Sequence, residues 1–264
     1  MNLIFISGIV LSALIGISLG LLGGGGSILT VPILVYVLGV DTHEAVGMSL
    51  AVVGATSLIG TCLHYKQGTV RLKTGLVFGV AGVMGAFAGA PLTALLSPPA
   101  LMFTFALLML VISLLMLRRK RDKIETNSNG EAVAFPSGNL VFWKAFSSGL
   151  VVGLLTGFLG VGGGFLIVPA LVVFGGLGMK EAIGTSLFVI FLNCVAGIIG
   201  HVSRGGFNWN LMLIITLSAV SGAVLGTMLS YRIAANKLQK GFAVFVFGIG
   251  VFVLAKNYGV LFGG

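Results

Sequence analysis

The stretch "LGLLGGGGSILTVPIL", Leu19 to Leu34, places four consecutive glycines inside an otherwise unbroken apolar run. Glycine destabilises a helix interior by about 1 kcal/mol relative to alanine, so four in a row predict that a helix breaks there. Nearly the same stretch, "TGFLGVGGGFLIVPAL", recurs from Thr156 to Leu171. We therefore expect two broken apolar helices, one in each half of the chain.

The composition identifies the solvent in which these helices lie. Of the 264 residues, 57% are hydrophobic and only 8% are charged. Soluble domains carry roughly 25% charged residues, whereas uncharged apolar stretches of roughly 18 residues or more are typical of transmembrane helices. The composition excludes a soluble globule and predicts an all-α integral membrane protein. The N-terminus has no Lys or Arg before its apolar run, which favours a first membrane segment over a cleaved signal peptide.

The sequence contains two similar halves, and an offset of 137 residues between them aligns Pro32 with Pro169. In the same register "EAVGMSL" from Glu44 to Leu50 meets "EAIGTSL" from Glu181 to Leu187, and several glycines coincide. Chance apolar similarity would match leucines, but it would not match this series of Gly, Pro and Glu. We predict a first membrane repeat over 1–117, a basic linker over 118–139 and a second membrane repeat over 140–264.

Each repeat contains five apolar segments, and the second of them is short. The segments are predicted at 3–22, 27–39, 44–63, 74–96 and 99–117, and then at 140–159, 164–177, 182–200, 209–230 and 241–255. A segment of about 14 residues is roughly 20 Å long as a helix, which is less than the ~30 Å hydrocarbon core. The segments 27–39 and 164–177 are therefore either crossings or arms of re-entrant hairpins.

The loop charges favour inverted repeats. With an odd number of crossings in each repeat, only Arg204 and Lys256 of the 15 Lys and Arg residues lie outside. With four crossings in each repeat, the repeats are parallel and at least four basic residues lie outside. The positive-inside rule therefore predicts inverted repeats in the cell membrane, with the linker on the cytoplasmic side.

The two glycine breaks are the predicted substrate site. After each break a helix restarts, at Ser27 and at Gly164, and the first N–H groups of a helix lack internal partners and carry the positive end of its dipole. Two such ends facing each other would bind an anion without a side-chain charge, and Gly lets the ligand approach the backbone closely. The predicted residues are Gly23, Gly24, Gly25, Gly26, Ser27, Gly160, Gly162, Gly163 and Gly164, with Pro32 and Pro169 as helix-break residues. The alternative is close helix packing, which we expect for Gly75, Gly79, Gly82, Gly85, Gly89, Gly222 and Gly226.

The third segment of each repeat adds polar side chains that could complete the site. Hydroxyl and amide groups occur at Ser49, Thr56, Thr185, Ser186 and Asn193. They either bind an oxyanion or form hydrogen bonds within and between helices. Glu44 and Glu181 are expected to cap their helices.

Neither enzyme nor cofactor chemistry is indicated. Cys62 and Cys194 lack metal-ligand spacing and are expected to be small buried hydrophobic residues. We therefore predict no catalytic residue, no metal and no cofactor.

The paired motifs resemble those of the sulfite exporter TauE/SafE family. The second copy, "GVGGGFLIVP" from Gly160 to Pro169, fits the family pattern, and the first, "GGGGSILTVP" from Gly23 to Pro32, departs from it at Ser27. The resemblance covers both repeats. It implies transport of small anionic sulfur compounds, including sulfite and organosulfonates, across the cytoplasmic membrane.

Together these patterns predict a secondary transporter, either an exporter or an exchanger, of small sulfur-containing anions. No P-loop motif is present in the sequence, so the energy is expected to come from gradients. The expected partners are the small anion and the lipid bilayer, and no nucleic acid. The alternatives are a passive small-anion channel and, from other classes, a membrane scaffold or an intramembrane enzyme.

Overall fold

The computed structural model describes residues 3–95, 98–118, 139–159, 164–201 and 209–262. This part of the chain is helical and contains no β-strand, so the predicted all-α fold is confirmed. The α-helices are α1 Leu3–Leu22, α2 Ser27–Pro32, α3 Thr42–Lys66, α4 Leu72–Gly89, α5 Pro98–Arg118, α6 Asn139–Leu159, α7 Gly164–Val173, α8 Met179–His201, α9 Trp209–Arg232 and α10 Ala235–Phe262. A π-helix, Ile33–Val37, continues α2, and a 3-10 helix, Ala90–Leu95, continues α4.

Six of these helices, α3, α4, α5, α8, α9 and α10, are long and apolar enough to cross a membrane. The α7 helix has only 10 residues, and at 1.5 Å per residue it spans about 15 Å, half of the hydrocarbon core. Counting the π- and 3-10 continuations, the observed helices lie within four residues of the predicted segments, except that α10 begins six residues before and ends seven residues after the predicted 241–255. The linker residues 119–138 lie outside the described part, so the proposed repeat boundaries remain a prediction.

The first glycine cluster ends α1 and reverses the chain. Gly23 has a φ of 75°, which L side chains rarely adopt and glycine adopts freely. Beyond the break, Gly26 packs against the backbone of Ile15, and Leu38 packs against Gly8. The segment 27–38 therefore returns the chain to the end at which α1 begins, and α1 and α2 form a hairpin.

Both prolines lie inside the helix that follows a break, and neither lies in a first turn. Pro32 is the last residue of α2, and the π-helix follows it directly, with the Leu38 N–H bonded to the Ile33 carbonyl at 3.2 Å. Pro169 is in the middle of α7. Proline lacks an N–H group and its ring crowds the preceding turn, which agrees with irregular geometry beside Pro32.

Helices of one repeat pack against helices of the other along two glycine-rich contacts. The α1 helix packs along α9, and α4 packs along α6. Gly222 and Gly226 lie against the carbonyls of Ala13 and Ile17, so these two helix backbones touch. Gly85 and Gly89 make the equivalent contacts with α6. The predicted packing role of these four glycines is confirmed.

Repeat-related helices also pair with each other, and they run in opposite directions. In the α3–α8 pair, Leu50 lies beside Gly197 and His64 lies beside Gly184. In the α5–α10 pair, Gln239 bonds the Met116 carbonyl at 2.8 Å, while Gly250 lies nearer the start of α5, against Met109. Both pairs are antiparallel. The middle of the α3–α8 pair falls beside Thr56 and Asn193.

Candidate functional site

A cavity of about 770 Å³ lies between the two repeats. Residues of six helices form its wall: Ser27, Ile28 and Val31 of α2, Val46, Ser49, Leu50 and Val53 of α3, Phe78, Gly79, Gly82, Val83, Ala86 and Phe87 of α4, Val152, Gly153, Thr156 and Gly157 of α6, Gly164 and Ile167 of α7, and Val189, Ile190, Asn193, Cys194 and Ala196 of α8. Ala90, just beyond α4, also lines it. A volume of this size accommodates a small molecule.

The cavity occupies a wedge between α4 and α8. The first halves of these helices are in contact, because the Arg71 N–H donates to Thr185 Oγ1 at 3.0 Å and Gly75 packs against Phe188. The cavity fills the space between their second halves, where Gly82 and Asn193 both line it. The wedge therefore opens toward the C-terminal ends of α4 and α8.

The two broken helices meet at the inner end of this cavity. Gly24 contacts the carbonyl of Gly164, and a Cβ atom at Gly164 would lie 2.6 Å from Ser27 Oγ. Ser27 and Gly164 both line the cavity. The structure thus brings the first turn of α2 and the first turn of α7 to the same point.

Four neutral polar side chains line the cavity. The hydroxyls of Ser27, Ser49 and Thr156 donate to the carbonyls of Gly24, Val46 and Gly153 at 2.7, 2.8 and 3.0 Å. Hydroxyl hydrogens rotate freely, so each can turn from its own helix toward a ligand. The fourth, Asn193, is exposed and offers two amide N–H donors. No charged side chain is found among the described residues of the wall.

Several predicted site residues lie away from the cavity and stabilise the break or the helix contacts. Ser186 donates to the Gly23 carbonyl at 2.6 Å, which fixes the turn of the first break. Thr56 is buried and bonds the carbonyls of Val52 and Val53. The hydrogen bonds of Ser186, Thr56 and Thr185 are therefore those of the alternative in which these side chains bond within and between helices.

The remaining glycines of the first cluster differ in their surroundings. Gly25 faces the ring of Phe245, which lies 3.0 Å from a Cβ built at that position. Gly26 instead faces the backbone carbonyl of Ile15. The predicted Gly160, Gly162 and Gly163 lie outside the described residues.

Sequence analysis missed part of the cavity wall. Gly79 and Gly82 pack against neighbouring helices, as predicted, but they also line the cavity, as do Thr156 and Cys194. The small residues of α4 repeat at helical spacing, which fits packing and cavity lining equally well. Thr156 is the first residue of the glycine-rich stretch in the second repeat. Its repeat-related residue is the apolar Leu19, so comparing the two repeats does not single out Thr156.

Among the described residues, Cys194 is the one charged or sulfur-containing side chain that lines the cavity. Glu181 forms an ion pair with Arg71 at 2.6 Å and accepts the Gly178 N–H at 3.4 Å, which is part of a helix cap. The expectation of burial is correct for Cys194 and wrong for Cys62, which is exposed on the side of α3. No group of three or more His, Cys, Asp or Glu residues lies close enough to hold a metal within the part that the structure describes.

The helices and the central cavity define a multi-pass membrane protein with room for a small substrate. The chain belongs to the sulfite exporter TauE/SafE family, whose sequence profile matches residues 8–253. This confirms the resemblance drawn from the two glycine motifs.

Relatives support the same class. A probable membrane transporter protein of Xylella fastidiosa (strain Temecula1) is 32% identical over 251 residues, which cover 94% of each chain. The probable membrane transporter YunE of Bacillus subtilis is 31% identical over 249 residues, which cover 89% of this chain and 91% of YunE. YdhB of the same organism is 29% identical over 216 residues and covers 81% of this chain and 85% of its own. No solved structure matched. The chain is a membrane transporter, and the names of its relatives indicate transport rather than enzymatic catalysis.

Proposed function

We propose that this transporter carries small sulfur-containing oxyanions, such as sulfite or organosulfonates, across the cytoplasmic membrane as a secondary exporter or exchanger. One observation carries the proposal. The cavity, whose described wall residues carry no charge, reaches the point where the starts of α2 and α7 meet, beside the middle of the α3–α8 pair. Discontinuous helices at the midplane are a recurring way to build a site for anions in membrane transporters.

The anion is held by neutral donors in this proposal. Ser27 and Gly164 bind it at the helix starts, while Ser49, Thr156 and Asn193 donate from the facing walls. An oxyanion accepts several hydrogen bonds at once, and each bond to a charged acceptor contributes roughly twice as much as a neutral one. The Asn193 amide is the leading donor, because its two N–H groups do not require a hydroxyl to turn.

Sulfite counterflow tests both the carrier mechanism and the substrate. The purified protein is reconstituted into liposomes that are preloaded with unlabelled sulfite, and uptake of labelled sulfite is measured. We expect saturable uptake, at least about tenfold faster than in liposomes without internal sulfite, and competition by an organosulfonate. High flux without acceleration by internal sulfite would favour the passive channel. Uptake equal to that of liposomes without protein would contradict the sulfur-anion proposal.

We further propose that the repeats lie in the membrane as inverted copies, with the linker 118–139 in the cytoplasm. The antiparallel α3–α8 and α5–α10 pairs support this, because copies related by an axis along the membrane normal would run in the same direction. The loop charges support the same orientation. In this topology the wedge between α4 and α8 faces the exterior.

The topology predicts opposite locations for two reporters. A reporter fused after Gly264 is expected outside, and one inserted at Asn127 in the linker is expected inside. Alkaline phosphatase, which is active only outside, and a fluorescent protein, which folds inside, read the two positions. A cytoplasmic C-terminus together with a cytoplasmic linker would contradict the inverted arrangement.

A further inference from the structure

We propose that the transporter has a second substrate vestibule, closed in the structure, between α9, α1 and α3 on the opposite side of the Ser27–Gly164 contact. The ligand is the small anion of the proposed function, on which this inference rests. The vestibule is lined by the positions that the 137-residue offset relates to the cavity wall, chiefly Leu19, Thr56, Ser57, Ser186, Ala223 and Thr227.

Two pairs of repeat-related positions have opposite exposure. Asn193 is exposed in the cavity, whereas its counterpart Thr56 is 1% exposed. Ala90 is exposed, whereas its counterpart Thr227 is fully buried. Two copies of one unit with these differences have adopted two shapes, one open and one closed.

The helix contacts show where the asymmetry arises. The α3–α9 pair is the counterpart of α8–α4, yet α3 and α9 remain in contact along their length. Met48 and Val52 share a buried apolar cluster with Ile215, and farther along the His64 and Tyr231 rings lie 5.1 Å apart. Exchanging the two shapes would close the wedge at α4 and open one at the C-terminal ends of α3 and α9.

The closed contact contains polar atoms that a permanently dry contact would not favour. Ser57 Oγ, Thr61 Oγ1 and Thr227 Oγ1 are buried without a hydrogen-bond partner in the described structure, as are His64 Nε2 and Tyr231 Oη. A buried polar group without a partner destabilises the state that contains it. These groups gain partners when water or an anion enters between the helices, which an open vestibule would permit.

Tyr231 holds the closed end together. Its ring packs on His64 of α3, and its carbonyl accepts a 2.9 Å hydrogen bond from Lys180 Nζ at the start of α8. Both contacts must break for α9 to move away from α3. Removing the Tyr231 ring should therefore shift the protein toward the state with the second vestibule open.

A matched pair of cysteines tests the proposal without any substrate. Asn193 is exposed in the open cavity, and its repeat-related position is Thr56, which is 1% exposed. The double variant Cys62→Ser/Cys194→Ser removes both native thiols, and Asn193→Cys or Thr56→Cys then adds a single thiol on the open or the closed side. Each variant is reconstituted in one orientation and treated on either face with a membrane-impermeant methanethiosulfonate.

Asn193→Cys is expected to react from one face, and Thr56→Cys at least tenfold more slowly from either face. Adding Tyr231→Ala should speed modification of Thr56→Cys at least tenfold, from the face opposite to that of Asn193→Cys, and slow modification of Asn193→Cys. Reaction of both thiols from the same face would overturn the proposal. So would a Thr56→Cys thiol that stays unreactive with Tyr231→Ala, in protein that elutes as a folded species.

If Tyr231→Ala does not fold, Lys180→Ala replaces it, because it removes only the bond to the Tyr231 carbonyl. The same two outcomes then apply. Thiol labelling requires no transported anion. If labelling is as expected but sulfite counterflow fails, the sulfite assignment is wrong and the second vestibule stands. If counterflow is normal but labelling is contrary, the second vestibule is wrong and the sulfite assignment stands.

Discussion

Gly24→Ala is expected to lower the rate of sulfite counterflow at least tenfold while the protein still inserts and folds. A Cβ at Gly24 would overlap the carbonyl oxygen of Gly164, which belongs to the backbone and cannot turn aside. The two broken helices would have to move apart, and such overpacking costs typically 1–3 kcal/mol. Because Ser27 and Gly164 line the cavity at this contact, the displacement falls on the proposed site itself.

Gly25→Ala is the matched control for this change. A Cβ at Gly25 would meet the edge of the Phe245 ring, a side chain that can rotate away, and would lie at an ordinary contact distance of 3.5 Å from Ser18 Oγ. We expect counterflow within about twofold of the unsubstituted protein. Membrane content and gel-filtration elution establish that both variants fold. Equal counterflow by Gly24→Ala and Gly25→Ala would contradict the role of the helix contact.

Asn193→Asp is expected to lower kcat/KM for sulfite about a hundredfold or more. The carboxylate has nearly the shape of the amide but has no N–H donor when ionised, and it places a negative charge beside the anion. Two like charges about 4 Å apart repel by about 4 kcal/mol at an effective dielectric constant of 20, and each 1.4 kcal/mol is a factor of ten. Initial counterflow rates over a range of sulfite concentrations measure the effect.

Asn193→Ser separates the loss of a donor from the gain of a charge. Its hydroxyl retains one donor, so we expect a loss of about tenfold, well short of that for Asn193→Asp. If the aspartate variant transports sulfite as well as the serine variant does, the anion does not approach Asn193. The donor role assigned to this amide would then be wrong.

The sequence predicts the helices well because apolar length is a strong signal in a membrane protein. The segment predicted at 3–22 is α1, and the breaks at both glycine clusters were read from residue type alone. Pairing between helices is harder to predict, because α1 and α9 lie about 200 residues apart and are joined by contacts that no local pattern encodes. Even so, the repeat offset predicts that the two breaks are equivalent, and the structure places Gly24 of the first break against Gly164, the first residue of α7.

The cavity wall was only partly predictable, for a physical reason. Ser27, Ser49, Gly164 and Asn193 were selected because polar or glycine residues stand out in apolar segments. Thr56 stands out in the same way, but its side chain is buried. Thr56 and its repeat-related residue Asn193 are both polar, and only the side of the protein with Asn193 is open. Which of two equivalent surfaces is open depends on how the helices separate, and the two copies of the motif do not encode that difference.

The contact between α1 and α9, which belong to different repeats, also sets the order in which the protein can assemble. Helix α1 leaves the ribosome before α9, and the backbone that its glycines must meet, near Ala219 and Ala223, is made about 200 residues later. At synthesis rates of about 5–20 residues per second, the first helix waits roughly 10–40 s in the bilayer before its partner exists. During that interval its small-residue face is open to any other helix with a similar face. Fidelity of biogenesis therefore depends on the nascent first hairpin remaining unpaired until the second repeat arrives.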